Sequence, residues 1–172
     1  EQAIIDNQNG DDGVAIHVKT GGESLVVDGN GHVTMPKTPA FLARPASQQA
    51  NFVNDTEVTV VFGTEIFDQN ADFSSNTFTA PVAGRYQLNM LVYFANLDSA
   101  SAYYIACIKT SNRNYEIVFD PDFGQDAVYW GASLSVLADM DLSDTAHIFV
   151  QQTGTEQTDI QTGSAFSGYL VA

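Results

Sequence analysis

The chain has 172 residues, 44% of them hydrophobic and 11% aromatic, which is long enough and apolar enough for a packed domain. Its 21 Asp and Glu residues outnumber 6 Lys and Arg residues, giving a net charge of −15. That charge argues against a nucleic acid or an anionic membrane as partner, and no apolar run approaches the ~20 residues needed to cross a bilayer, so we expect no membrane insertion.

The first segment, residues 1 to about 37, is Gly- and Asn-rich and contains a weak internal repeat. Residues 1–7 align with residues 23–29, and the second copy continues into Gly29-Asn30-Gly31, which predicts a tight turn between two short strands. Hairpins this small bury too little surface to be stable alone. We therefore predict a short β stem at 1–37, intertwined in a trimer, and a head domain at 38–172. The missing initiator Met suggests a fragment of a longer chain or a processed product.

The predicted head reads as all-β, with short strand-like runs separated by turn residues. The runs are 58–62, 86–94, 103–109, 115–119, 128–137, 146–151 and 166–171. Trp130, Ala132, Leu134 and Val136 alternate with small or polar residues, which is typical of a strand with one buried face. No stretch has a helical apolar period with caps, so the pattern predicts a β-sandwich or barrel.

Four motifs in order resemble the C1q domain of the C1q and tumour-necrosis-factor superfamily. Residues 39–43 read PAFLA and residues 78–86 read FTAPVAGRY, while 131–137 read GASLSVL and 164–170 read SAFSGYL. The resemblance covers residues 39–172 and implies a ten-stranded jelly roll packed as a homotrimer. A generic β-sandwich with similar residues is the alternative. One departure is Ser143-Asp144 where the family has Gly-Asp, so we expect that turn to be reshaped, because Ser tolerates a glycine conformation poorly.

The stem carries a second resemblance. Residues 24–36 read SLVVDGNGHVTMP and run into PAFLARP at 39–45, which looks like the stem-to-head junction of bacteriophage fibre proteins. In those proteins, short β-hairpins intertwine around a three-fold axis and a globular head follows. The resemblance implies that this chain is the C-terminal end of a fibre.

The sequence contains no motif typical of an enzyme, so we expect no catalytic activity. It lacks a Gly-x-Ser-x-Gly elbow, a zinc motif and a phosphate-binding loop. His17, His32 and His147 lie far apart, and His147 falls within a β-run, where a structural role is favoured. Cys107 is the single cysteine, so no intrachain disulfide can form, and its apolar neighbours predict a buried residue and not a nucleophile.

An acidic loop between two predicted strands is the candidate metal site. Asp120, Asp122 and Asp126 alternate closely enough to converge on one hard cation, although the spacing is not that of an EF-hand. The C1q resemblance implies calcium here, since several family members hold calcium near the trimer axis with aspartates of this loop. Asp120 and Asp126 match those positions, and Asp122 is an additional candidate. A solvated acidic loop is the alternative.

Two further loops, 51–55 and 96–101, are candidate ligand-binding loops because exposed loops on a rigid scaffold commonly carry recognition. Their candidate residues are Asp55, Asp98, Ser99 and Ser101. Together these observations predict the trimeric head of a viral (phage) fibre or spike, on the virion surface, that binds a host-surface protein or glycan. A secreted C1q-like recognition or adhesion protein of a cellular organism and a purely structural trimerisation cap are the alternatives.

Overall fold

The computed structural model describes the backbone of residues 4–6, 14–18 and 22–172, and the side chains from Ser24 onward. Every regular element in those ranges is a strand, so the all-β prediction is confirmed. The strands are β1 Ile4–Asp6, β2 Val14–Val18, β3 Gly22–Val27, β4 Val33–Thr34, β5 Ala40–Arg44, β6 Val58–Thr59, β7 Thr64–Asp68, β8 Phe73–Ser74, β9 Thr77–Thr79, β10 Gly84–Leu97, β11 Tyr104–Thr110, β12 Asn114–Phe119, β13 Ala127–Met140, β14 Thr145–Gln152, β15 Asp159–Ile160 and β16 Ala165–Leu170. The described residues contain no helix that could span a bilayer.

The chain divides into two compact units, Glu1–Pro39 and Ala40–Ala172. The boundary expected from sequence lies two residues earlier, and the separate folding and intertwining of the stem stay predictions. Within the first unit, β1 to β4 form an antiparallel sheet in chain order.

The predicted turn of the stem joins β3 and β4, with Val26 opposite Thr34. Asp28 organises it: one carboxylate oxygen accepts hydrogen bonds from the backbone N–H groups of Asn30 and His32, at 2.8 and 2.9 Å. His32 Nδ1 lies 2.8 Å from the other oxygen, and these bonds lower the pKa of Asp28. Gly31 has φ +84°, which explains why glycine occupies that position.

The second unit is a sandwich of two antiparallel sheets. Sheet 1 has the order β13-β10-β16-β5-β7, with the short β15 also paired to β10. Sheet 2 has the order β12-β11-β14-β9-β8, with the short β6 also paired to β14. Five strands along each path make the ten strands that the family resemblance implied, and the two short strands are additions.

The alternation predicted for residues 130–136 is confirmed for residues 132–136, whereas Trp130 is 39% exposed and contacts Phe119 and Phe123. The strand that carries it forms the longest pairing in the head. β10 and β13 pair from Gly84 opposite Met140 to Leu97 opposite Ala127. Ala132, Leu134 and Val136 all contribute to the core. The period of two therefore holds along β13, and it leaves every second residue on the outer face of sheet 1.

Phe41 lies at the centre of the core and joins the two sheets. Its ring stacks on Phe73 at 5.0 Å and on Phe78 at 4.8 Å, and meets Phe166 edge-on at 4.9 Å. Phe73 and Phe78 belong to sheet 2, whereas Phe41 and Phe166 belong to sheet 1. A Cβ on Gly168 would lie 2.9 Å from Phe41 Cε1, so the glycine of the last motif makes room for this ring.

Two sequence-based expectations for the head need correction. The predicted strand at 58–62 ends at Thr59, because side chains of Gln49 and Asn76 accept the backbone N–H groups of Val61 and Phe62 in place of a strand ladder. The turn at Ser143 was expected to be reshaped, but Ser143 has φ +73° and so takes the left-handed conformation that favours glycine. Its N–H donates to Ala80 O at 2.8 Å, which holds that conformation in place.

Candidate functional site

Four connecting segments meet at one end of the head, which we call the loop end: 51–57, 96–102, 120–126 and 153–158. Hydrogen bonds link the segments to one another. Asn54 Nδ2 donates to Gly154 O at 3.0 Å, and Gln157 Nε2 donates to Asp126 at 3.0 Å. The loop end therefore brings the two predicted binding loops and the predicted metal loop together on one surface.

Asp98, a predicted ligand-binding residue, forms hydrogen bonds that hold the loops together. It is 5% exposed. One carboxylate oxygen accepts from the N–H and the hydroxyl of Thr155, both at 2.8 Å, and the other accepts from Ala100 N–H at 2.8 Å. The Thr155 N–H is the main reason that the pKa of Asp98 lies below its usual value, against the opposing effect of burial.

Ser101 and Ser99 also form hydrogen bonds to other residues of the loop end. Ser101 is buried, and its hydroxyl donates to Tyr103 O at 3.1 Å and lies 3.4 Å from the hydroxyl of Thr153. Ser99 donates through its N–H and its hydroxyl to one oxygen of Asp126, at 2.9 and 2.8 Å. These bonds, with the one from Gln157, lower the pKa of Asp126, so its carboxylate is ionised at neutral pH.

Three non-glycine residues of the loop end have left-handed backbone: Asn51 at φ 48°, Asp55 at φ 54° and Asn96 at φ 54°. Asp55, the remaining predicted binding residue, is exposed, and its N–H donates to Gln152 O at 2.8 Å. Asn51 and Asn96 are held by Asp159, whose two oxygens accept from Asn51 N–H and from Asn96 Nδ2, each at 2.9 Å. Such conformations cost energy and persist where surrounding contacts enforce them.

A groove of about 400 Å³ lies beside this network. Its lining residues are Asn51, Asn96, Asp126, Ala127, Val128 and Gln157. The predicted loops included Asn51 and Asn96, but sequence reasoning did not single them out, and it missed Gln157 and Val128 altogether. The signal that could have identified Asn51 and Asn96 is an Asn residue in a loop between strands, since Asn adopts left-handed backbone more readily than most other non-glycine residues.

The three predicted metal ligands do not meet within one chain. The N–H of Asp122 donates to Asp120 Oδ1 at 3.1 Å, forming a local turn, while Asp126 is bonded to Ser99 and Gln157. Among the described residues, no three His, Cys, Asp or Glu side chains come together as a metal site. A calcium site on this loop would therefore need carboxylates from more than one chain.

Cys107 and His147 are the residues that could serve as a nucleophile and a base, and their surroundings shift the pKa of each. Cys107 is buried, as predicted, and desolvation raises the pKa of its thiol to about 12. His147 lies on β14 as predicted, where burial, and then the charge of Lys109, lower its pKa. His17 lies in β2, outside the residues whose side chains are described. A thiol with so high a pKa is a poor nucleophile at neutral pH.

A second surface is the outer face of sheet 1, which carries large apolar side chains. Phe67, Leu91, Tyr129, Leu137 and Tyr169 lie on this face and are 41–58% exposed. They surround a polar centre in which Gln87, Asn89 and Ser135 hydrogen-bond to one another. Several exposed apolar side chains around a polar centre on one sheet face make this face a candidate interaction surface.

Comparison with known proteins identifies the family and the fold of the head domain. The family model of the C1q domain matches residues 40–171. The globular domain of zebrafish complement 1qA superposes with a TM-score of 0.55 at 19% identity, over 79% of this chain and 98% of that chain. Murine APRIL, in crystals at pH 8.0, superposes with a TM-score of 0.56 at 8% identity, over 78% of this chain and 100% of that chain. No curated protein sequence matches the chain. At these identities the structures show the fold, and they confirm the predicted jelly-roll sandwich.

Proposed function

Because the chain belongs to the C1q domain family, we propose that it forms a homotrimer that binds a ligand at its loop end and catalyses no reaction. More narrowly, we propose the head of a viral (phage) fibre or spike, exposed on the virion, that recognises a host-surface receptor. The stem at residues 1–37 would intertwine with its copies. The hairpin of β3 and β4, directly before the head, supports the fibre, since such hairpins are too small to be stable without a partner.

The observation that carries the trimer is the apolar outer face of sheet 1. Its Phe67, Leu91, Leu137 and Tyr169 are large apolar side chains on one sheet face and are 41–53% exposed. Burial of this face between chains would remove that apolar area from water, and obligate interfaces are apolar in this way. Trimerisation would place three loop ends on one particle, so weak binding at each site would be multiplied by avidity.

The oligomeric state tests this proposal. Light scattering of the purified chain is expected to give three times 18.6 kDa. Leu91→Asp, which places a charge on the outer face of sheet 1, is expected to reduce the mass to that of one chain at micromolar concentration. Val118→Asp is the matched control, because Val118 is also exposed on a strand but belongs to sheet 2. Deletion of residues 1–37 is expected to leave a folded head with a weaker trimer.

A monodisperse wild-type monomer would overturn the trimer, and equal effects of the two substitutions would place the interface elsewhere. Binding of fluorescently labelled trimer to a panel of bacterial and animal cells tests recognition. Binding to bacterial cells supports the phage fibre, whereas binding to animal cells alone favours a secreted recognition protein. A trimer that binds no cell surface would be a structural cap.

We also propose that the trimer binds calcium through Asp120, Asp122 and Asp126. Three copies of this loop would bring like charges together, and charges about 4 Å apart repel by roughly 4 kcal/mol at an effective dielectric of 20. A cation would relieve that repulsion. The supporting facts are the acidic loop and the net charge of −15.

Millimolar calcium is expected to raise the melting temperature of the trimer, and a chelator to lower it. Calcium at a hundredfold excess over its Kd would stabilise the folded trimer by roughly 2.7 kcal/mol. The double variant Asp120→Asn, Asp122→Asn is expected to lose the response, and it keeps Asp126 and its bonds to Ser99. Magnesium and sodium chloride at matched ionic strength control for screening. An identical calcium response in wild type and variant would mean that this loop does not bind calcium and is a solvated turn.

A further inference from the structure

We propose that the groove of the loop end is a binding site for an uncharged sugar residue of a surface glycan. This inference rests on the proposed recognition function and names the chemical class of the ligand. Its place is defined by Asn51, Asp126, Val128 and Gln157, which line one continuous groove. The volume of about 400 Å³ falls within the range of about 300–1,000 Å³ that is typical of small-ligand sites.

The polar groups of the groove suit hydroxyl groups. A sugar hydroxyl both donates and accepts, so it needs acceptors and donors side by side. Asp126 supplies carboxylate oxygens, and the amide of Asn51 supplies donors and an acceptor. Gln157 supplies its amide oxygen as an acceptor, because both of its N–H groups are already bonded to Asn96 and Asp126. Within the part of the chain that the structure describes, the side-chain amide of Asn51 forms no hydrogen bond, so it can bond to a ligand without losing an existing partner.

One side of the groove is apolar. Val128 is 66% exposed, and Ala127 lies beside it at the start of β13. A sugar ring has a C–H face as well as hydroxyl groups, and that face gains by leaving water against an apolar surface. A binding site with a polar side and an apolar side therefore matches a sugar better than it matches a fully polar ion.

The groove is held in shape before any ligand arrives. Asn51 and Asn96 have left-handed backbone, at φ 48° and 54°, and both are bonded to the buried carboxylate of Asp159. Gln157 Nε2 is placed by bonds to Asn96 O at 3.3 Å and to Asp126 at 3.0 Å. A site fixed in this way loses little conformational entropy when a ligand binds. A ligand that makes only a few contacts can therefore still bind specifically.

The charge of the loop end selects among glycans. Its four segments contain Asp and Glu residues and no Lys, Arg or His. The carboxylate of Asp126 lines the groove itself, where it accepts hydrogen bonds from Ser99. Sialic acid and sulfated sugars would be repelled, because juxtaposed like charges disfavour binding. The site therefore fits a neutral hexose or N-acetylhexosamine.

The test uses the full chain and an array of neutral oligosaccharides that end in a hexose or an N-acetylhexosamine. The same oligosaccharides capped with sialic acid stand beside them, and the buffer contains a chelator so that calcium plays no part. We expect binding to neutral glycans and weaker binding to their capped forms. Asn51→Ala and Asp126→Asn are expected to weaken that binding roughly tenfold or more, as loss of a ligand hydrogen bond does.

The matched control is Asp139→Asn, an exposed carboxylate at the opposite end of the β10–β13 pair, which should leave glycan binding unchanged. Circular dichroism confirms that each variant is folded. Absence of binding to any neutral glycan, a preference for sialylated forms, or undiminished binding by both groove variants would each overturn the site. If the trimer binds cells but no neutral glycan, the inference fails and the recognition function stands. A monomer that binds no cell would instead contradict the proposed function.

Discussion

Phe41→Ala is expected to lower the free energy of unfolding by about 3–5 kcal/mol, the usual cost of removing a fully buried aromatic ring. Phe41 is 1% exposed and touches rings from both sheets, at centroid distances of 4.8 to 5.0 Å. The variant loses the transfer free energy of the ring, and it leaves a cavity between rigid neighbours that cannot close it. Urea unfolding followed by fluorescence measures the loss.

Phe123→Ala is the matched control for this substitution. Phe123 is 41% exposed and contacts Trp130 at 4.8 Å, so its removal should cost about 1 kcal/mol or less. Both variants must be compared with wild type at one protein concentration, because the stability of an oligomer depends on concentration. Equal losses for Phe41 and Phe123 would contradict the placement of Phe41 at the centre of the core.

Asp98→Asn is expected to lower the free energy of unfolding by about 2–4 kcal/mol at pH 7. The carboxylate is buried and accepts three hydrogen bonds, and bonds to a charged acceptor contribute more than neutral ones. The substitution replaces one acceptor oxygen with an NH₂ group, which faces other donors. Asp141→Asn is the control, since that side chain is exposed in the turn between β13 and β14.

The effect of Asp98→Asn should depend on pH in a defined direction. The pKa of Asp98 is lower in the folded chain than its usual value of 3.8, so the carboxylate stabilises the fold above about pH 4. That contribution is lost as the pH falls through the lower, folded pKa. The difference between wild type and variant is therefore expected to be constant from pH 7 to about 5 and to shrink below pH 4. A difference that does not change with pH would mean that Asp98 is not ionised in the folded chain.

The strands and the family were readable in the sequence because both depend on local spacing. Alternation at Trp130, Ala132, Leu134 and Val136 predicts which side of a strand is buried, and the structure confirms that side for the last three, while Trp130 is 39% exposed. The four motifs lie in the family order, and the family model matches residues 40–171. Cys107 was predictable for the same reason, since its apolar neighbours place it within a buried run.

The site could not be predicted from local spacing, because the contacts between loops depend on the cross-strand register and on the path that the chain takes between strands. Asn51, Asp126 and Gln157 are far apart in sequence and share one groove because the loop before β6, the start of β13 and the loop after β14 meet at the same end of the sandwich. The sequence does not show whether an acidic side chain in a loop is solvated or buried, so the hydrogen bonds between Asp98 and Thr155 could not be predicted. Most of the long strands, the buried face of β13 from Ala132 on and the C1q family could thus be predicted from local spacing. Which polar residues hold the loops together and which line a groove is visible only in the folded chain, because it depends on where segments that are distant in sequence meet.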